Sequence, residues 1–300
     1  MQAYALGSIT VHKITEFASM ASPLAGALPA ATSEDLRGVL QWLDDPFLSE
    51  DPAKAQCALS MHSFVVQSGR RNILIDACIG NHKPRQPLDF VTGLERPDYL
   101  DNLSRAGLRP EDIDYVLCTH LHFDHVGWNT RLQDGRWVPT FPNAKYLFSR
   151  ADYEDLDQHR DAVPLFGQAF EDSVLPVVAA GQAQLVDDGH ALELELGQGV
   201  WFERAPGHSA GNCVIHARSG DAHGVFCGDV IHHPIQVHRP ELCVVPGDAD
   251  ADLAARTRRK LIETYADTAS VLMPAHFLDP TIGRIVSVGD GFRYVYAAEP

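Results

Sequence analysis

The chain has no surplus of positive charge, no run of eighteen apolar residues and no CxxC pair, and each absence closes off a class of function. Lys and Arg number 24 against 40 Asp and Glu, a formal charge of −16 that repels phosphate backbones and anionic lipid, so neither nucleic acid nor a membrane surface is an expected partner. Residues 1–30 lack a basic start followed by an unbroken apolar stretch, because Lys13 comes late and Pro23 and Pro29 interrupt. A soluble, cytoplasmic protein is expected. The six cysteines (Cys57, Cys78, Cys118, Cys213, Cys227 and Cys243) are scattered through a chain too long to need disulfide staples, and read as small buried hydrophobes. There is no GxSxG elbow to present a nucleophilic serine, no Walker A or GxGxxG loop to hold a nucleotide, no internal repeat and no charge block.

What the chain does have is apolar material and histidine. With 300 residues, 45 % of them hydrophobic, it can bury a substantial core. Apolar alternation predicts strands over residues 8–16, 58–66, 72–77, 115–118, 145–148, 200–203, 213–217, 224–226 and 270–273. Helices are predicted over 33–43, with Ser33 as N-cap, and over 98–106, 150–158 and 251–265. Strands and helices alternate in both halves, which implies an α/β fold and one unit spanning residues 1–300. Residues 21–55, rich in Ala, Pro and acid, read as an added arm that either covers its own chain or wraps the second subunit of a homodimer. Residues 161–178 read as an irregular segment suited to closing over a site.

The 15 histidines are concentrated in a few short stretches. His120, His122, Asp124 and His125 lie directly after the strand predicted at 115–118, where a strand end breaking into a loop can aim two ligands to one side and two to the other. Such a segment can serve two metal ions. Further candidates follow or end other strands: His208 in a turn-rich loop, Asp229 after the run Val225–Gly228, and His276 after Met273. Imidazole and carboxylate together suit zinc, and also manganese, iron or cobalt. Ser209, although beside His208, has nothing near it in sequence to activate it.

These residues give the chain its resemblance to the metallo-β-lactamase superfamily, whose pattern is an early Asp, HxHxDH, a later His, an Asp and a final His. Here the pattern runs from Asp76 to His276. The resemblance implies a four-layer αββα sandwich with two divalent metal ions, zinc foremost, at one edge of its two sheets. It implies that His120, His122 and His208 hold one ion, that Asp124, His125 and His276 hold the other, and that Asp229 bridges them. Asp76 would brace the ligand loop by hydrogen bonds, orienting the imidazoles.

Two cations a few ångströms apart favour hydrolysis, because they acidify a shared water and polarise an incoming carbonyl or phosphoryl oxygen. The reading is therefore a metal-dependent hydrolase of a small-molecule lactone or carboxylic ester, acting through a bridging hydroxide, with Asp124 or Asp229 returning the proton to the leaving alkoxide. Within the superfamily the chain looks most like the lactonase and methyl-parathion-hydrolase-like branches. Asp229 stands where class B β-lactamases commonly carry Cys, with Cys227 placed by alternation on the same side of its strand. His232 and His233 stand where acyl-homoserine lactonases often offer a Tyr. Phe123, Trp128, Phe166, His232, His233 and Phe277 are the candidate substrate-facing residues. Arg256, Arg258, Arg259 and Lys260 read as a solvated helix face, equally open to a glutathione carboxylate in a glyoxalase II-like thioesterase. The alternatives are thus a phosphotriesterase-like or thioester hydrolase on the same site, and a metal-binding or signalling module without turnover.

Overall fold

Alternation along the strands decides which layer each side chain joins. In the computed structural model, which describes residues 3–69, 71–194, 198–245 and 247–297, the first sheet begins with β1 (Ala3–Leu6), β2 (Ile9–Pro23), β3 (Gln56–Ser68), β4 (Arg71–Ile75) and β5 (Tyr115–Leu117). A separate hairpin follows, β6 (Thr130–Gln133) and β7 (Arg136–Pro139), and then β8 (Lys145–Ser149) and β9 (Ala183–Val186) complete the first sheet beside β5. The second sheet runs in sequence order through β10 (Ala191–Glu193), β11 (Gln198–Arg204), β12 (Cys213–Ser219), β13 (Ala222–Gly228), β14 (Val271–Pro274), β15 (Gly283–Val288) and β16 (Gly291–Tyr296). The helices are α1 (Leu24–Ala27), α2 (Ser33–Leu40), α3 (Asp98–Arg105), α4 (Phe123–Val126), α5 (Arg150–His159), α6 (Pro164–Ala169), α7 (Leu175–Ala179), α8 (Ile235–His238) and α9 (Ala251–Tyr265).

Phe64, Val66, Ile73, Ile75 and Leu117 of the first sheet meet Phe202, Ile215, Phe226 and Met273 of the second. The residues between them, Val65, Leu74 and Val116, point the other way and pack with Tyr99 and Leu103 of α3. Val214, Val225 and Leu272 likewise turn outward onto Leu261 and Ile262 of α9. A period of two therefore gives each sheet two apolar faces, and four layers result, helix, sheet, sheet, helix. The αββα sandwich is the observed architecture.

Several local expectations need correction. The helix of the arm is capped by Thr32, not Ser33: the Thr32 side chain accepts the Asp35 amide while the Asp35 carboxylate accepts the Thr32 N–H. Most of residues 161–178 is helical rather than irregular: after a turn at 161–163 come α6, a π-turn at Phe170–Val174, and α7. Pro164 and Pro176 do not interrupt it, because both stand in the first turn of a helix, where the missing N–H has no intrahelical partner to lose. The arm covers its own chain, with Leu24, Leu28, Leu36, Val39 and Leu43 packed on Ile235 and Leu242. Among the described residues no helix is long and apolar enough to cross a membrane.

Parallel pairing sets up the site. Strands β4, β5 and β8 run parallel in the first sheet, and β13 and β14 in the second. The loops leaving the C-terminal ends of β4, β5, β13 and β14 carry Asp76, the 120–125 segment, Asp229 and His276. They meet at one edge, where the Cys213 amide donates to the Thr119 carbonyl at 2.8 Å and the Ser60 amide to the His276 carbonyl at 2.9 Å.

Candidate metal centre

Asp76 directly follows β4 with φ at +57°, a conformation that Asp tolerates better than most residues. The turn aims its carboxylate across the next loop, where it accepts the Thr119 amide at 2.8 Å, the Thr119 hydroxyl, and His125 Nδ1 at 2.9 Å. On the second sheet Gly228, with φ at +48°, turns the chain into Asp229. A Cβ there would lie 2.8 Å from the Thr119 side chain, so the approach of the two loops requires glycine. The same turn breaks strand alternation. Cys227 joins the outer core with Val225 rather than sharing a face with Asp229, and burial pushes its thiol up to about 12.

The structure brings seven sequence-predicted residues together. His120, His122 and His208 form one group, and Asp124, His125, Asp229 and His276 a second, with the potential ligand atoms in each group within 4.8 Å of one another. Asp229 reaches both groups. Its Oδ2 is 3.3 Å from His208 Nε2 and 3.9 Å from His120 Nε2, while its Oδ1 is 3.1 Å from His125 Nε2 and 3.0 Å from His276 Nε2. His122 Nδ1 faces His208 Nε2 at 2.9 Å.

The outer nitrogens of the ring explain this inward orientation. His125 Nδ1 donates to Asp76, His208 Nδ1 to Asp248 at 3.0 Å, His276 Nδ1 to the Ser60 carbonyl at 3.1 Å and His120 Nδ1 to the Thr119 hydroxyl at 3.2 Å. Each of these bonds places the proton outside and leaves the Nε2 lone pair facing the cluster. His120 Nε2, His125 Nε2 and Asp229 Oδ1 are buried and have no hydrogen-bond partner among the described residues. Orphaned atoms of this kind, on imidazole and carboxylate, fit a pair of transition-metal ions. Burial and the neighbouring imidazoles hold His120 and His122 well below the ordinary histidine value, in the neutral form that coordinates. Burial works the other way on Asp229, but His125, His276 and His232 outweigh it and hold the carboxyl well below its usual range. Burial lowers His125 and His276, yet Asp229 raises both above the ordinary value overall.

The profile of the metallo-beta-lactamase superfamily matches residues 59–276, the span that holds all of these side chains. The chain belongs to this superfamily. N-acyl homoserine lactonase from Bacillus cereus is 30 % identical over 110 residues, 37 % of this chain and 35 % of that protein. The chain thus matches about a third of the length of such curated relatives. A cytochrome P450 monooxygenase, mpaDE, from Penicillium roqueforti is 28 % identical over 66 % of this chain and 24 % of its own length. Among solved structures, AidC, a dizinc quorum-quenching lactonase in complex with a product, superposes with a TM-score of 0.78 at 20 % identity, covering 99 % of this chain and 97 % of the other. The hydrolase AbOPH of the beta lactamase superfamily gives 0.77 at 22 %, with the same coverage. At such identities the likeness is one of fold.

For this superfamily member, the candidate substrate-facing residues divide. Phe166 lies flat on His122, with ring centroids 3.9 Å apart and planes 6° from parallel. Phe123 opens α4 half-buried, against the Met61, Ile79 and Val91 cluster. His232 joins the cluster itself, its Nε2 3.0 Å from Asp229 Oδ2 and its ring stacked on His276. Trp128 is core, stacked on Tyr99 at 5.2 Å, with its indole N–H donated to Glu16. Phe277 is also core, packed on Tyr294. His233 turns to the arm, where Nε2 donates to Asp45 at 3.1 Å while Nδ1 accepts the Ile235 amide. Successive residues leave a bend in opposite directions, and the arm supplied a partner for only one of this pair.

Three important groups carry no local sequence signal. Asp152, in the first turn of α5, accepts the Leu121 amide at 2.7 Å, the Gly211 amide at 2.8 Å and the Ser209 hydroxyl, tying the two histidine loops to one carboxylate. Asp248 holds His208 and accepts the Val244 amide and Arg258 Nη2. Arg258 is fully buried, not part of a solvated face, and donates also to the carbonyls of Val230, Pro240 and Leu242. The contacts that tie the histidine loops, Asp152 with Leu121 and Gly211 and Asp248 with His208, join residues 31 or more positions apart, so no spacing rule points to them.

Proposed function

We propose that this protein is a dinuclear metal-dependent hydrolase of a lactone or carboxylic ester. One observation carries the reading: a single buried carboxylate, Asp229, stands between two separate groups of imidazole and carboxylate donors. His120, His122 and His208 would hold one divalent ion, Asp124, His125 and His276 the other, and Asp229 both, with zinc the metal best matched to the donor set. Such a pair of ions supplies Lewis acidity toward a carbonyl oxygen and brings the pKa of a shared water near neutrality.

The remaining work falls to this chain's own groups. Asp76, Asp248, Thr119 and the Ser60 carbonyl hold the imidazoles in the tautomer that faces inward. Asp124 is the least buried carboxylate of the cluster, its side chain 12 % exposed against 4 % for Asp229. It is therefore assigned to take the proton released by the attacking water and return it to the leaving alkoxide. Phe166 borders the donors with aromatic surface, and the half-buried Phe123, which precedes Asp124 in the chain, is assigned to the same side; this suits a neutral substrate with an apolar acyl or aryl arm. His232 Nδ1, buried and without a partner among the described residues, is a hydrogen-bonding atom beside Asp229 and is assigned to the substrate side. The lactonases among the similar proteins support the lactone as first choice.

The test is turnover of lactones, aryl esters, thioesters and phosphotriesters with and without chelator. Chelator-sensitive hydrolysis of a lactone or ester, restored by zinc, is expected; a chain that binds zinc and turns over none of the four classes would refute the assignment. Asp124→Asn should steepen the dependence of rate on leaving-group pKa, and an unchanged slope would remove Asp124 from the proton path.

A further inference from the structure

Away from the donor cluster, two cations are buried against one carboxylate. Lys83 and Arg85 are fully shielded from solvent, and both turn to Asp172. Arg85 Nη1 and Nη2 donate to Asp172 Oδ2 and Oδ1 at 2.7 and 3.0 Å, a planar fork matched to the carboxylate. Lys83 Nζ lies 3.4 Å from Asp172 Oδ1 and donates to the Asp172 carbonyl at 3.1 Å. The Thr130 hydroxyl accepts from Lys83 and donates to the same carbonyl, and the ammonium stands 3.6 Å over the Trp137 ring. Taking three charged groups out of water is unfavourable, and removing the carboxylate would strand two buried cations.

The segments joined here give the node its meaning. Lys83 and Arg85 belong to the loop that begins at Asp76, and Thr130 opens the hairpin that follows the 120–125 segment. Asp172 sits in the π-turn between α6 and α7, a wider turn than the α-helices on either side allow. Four residues before the π-turn, Phe166 lies flat on His122, whose Nδ1 faces His208. Gly167 allows no adjustment there, since a Cβ would lie 2.2 Å from the Arg160 carbonyl oxygen.

We propose that Asp172, clamped by Lys83 and Arg85, is a positioning residue for the metal centre: it sets the helical run so that Phe166 holds the His122 ring plane, and so slows release of the ion shared by His120, His122 and His208. The inference rests on the reading of those three histidines as ligands, and assigns to the 164–179 run a fixed rather than a closing role.

The experiment measures zinc per chain, the rate of zinc transfer to a chromogenic chelator, the visible spectrum of the cobalt-loaded protein and the melting temperature. It compares wild type, Asp172→Asn, Phe166→Ala, their double variant and the charge-keeping Asp172→Glu. Asp172→Asn and Phe166→Ala should each speed release of one of the two ions about tenfold, as is usual when support behind a ligand is lost. Both should shift the cobalt bands, and Asp172→Glu should restore part of the loss. Because both substitutions act through the same ring, the double variant should release zinc no faster than the faster single one. If Asp172→Asn does not fold, Lys83→Met, which keeps the Arg85 fork, takes its place. A lowered melting temperature with wild-type release and spectrum, or additive effects in the double variant, would overturn the proposal. A wild-type chain that holds two zinc ions but hydrolyses nothing would defeat the functional reading and leave this inference standing; one that takes up no zinc would defeat both.

Discussion

Replacing Asp152 with alanine removes a carboxylate that ties the backbone of the 120–125 loop to that of the His208 loop. Three donors lose their acceptor: the Leu121 amide, the Gly211 amide and the Ser209 hydroxyl. A buried donor left without a partner costs about 1–3 kcal/mol, and the serine can rotate to find another, so the two amides set a loss of about 2–6 kcal/mol. The loss is offset in part, because burial disfavours the Asp152 carboxylate and raises its pKa, and that penalty disappears with the side chain. A net loss of about 2–4 kcal/mol is expected, which for a chain of this size lowers the melting temperature by roughly 3–6 °C. The effect should reach the metal as well. Leu121 lies between His120 and His122, and Ser209 follows His208, so both histidine loops lose their register and zinc affinity should fall at least about tenfold. Asp152→Asn, which keeps the shape and one acceptor oxygen, should fall between alanine and wild type. Differential scanning calorimetry of the zinc-loaded protein and competition with a chromogenic chelator measure the two effects. An alanine variant that melts with the wild type and keeps its zinc affinity would refute the argument that this carboxylate aligns the loops.

Two further outcomes follow from the geometry. Gly228→Ala places a Cβ at φ +48° and 2.8 Å from the Thr119 side chain, a strain of about 1–2 kcal/mol before Thr119 moves; since Asp229 is the next residue, zinc per chain should drop, and full occupancy by elemental analysis would contradict the fit. Burial pushes His216 and His223 down to about 4, so the unfolded chain takes up those protons first. Their contribution to stability is complete above about pH 6.5 and is lost as the pH falls toward 4, by about 3 kcal/mol at most for His216. Replacing His216 with Phe, which keeps a ring against Trp201, should bring the melting temperatures at pH 5 and pH 7 closer together, and an unchanged gap would place the acid sensitivity elsewhere.

The apolar strands and their alternation with helices were legible in the sequence, whereas the four-layer order came from the family resemblance. Val65 between Phe64 and Val66, or Leu272 between Val271 and Met273, already says that a strand is covered on both faces. Helix α9 was bounded to the residue, because Asp250 caps it and its apolar face repeats at helical spacing. The strands β15 and β16 and the short hairpin β6–β7 were not anticipated, since their exposed faces dilute the apolar signal. The helical run over residues 164–179 was misread because its two prolines look like breaks until their place in the first turns is known.

The sequence by itself determined the kind of chemistry: donors for hard and borderline metals, gathered at strand ends, in a chain without a nucleophile motif or a nucleotide loop. Only the tertiary structure decided which neighbours those donors have. It set His232 beside Asp229 and His233 beside Asp45, sent Trp128 and Phe277 into the cores, and supplied Asp152, Asp248 and Arg258 from far along the chain. The reason is one of range. A ligand's residue type and its position at a strand end are local properties that one stretch of chain displays, whereas the partner that holds a ring or satisfies an amide is fixed only when sheets and loops close on one another.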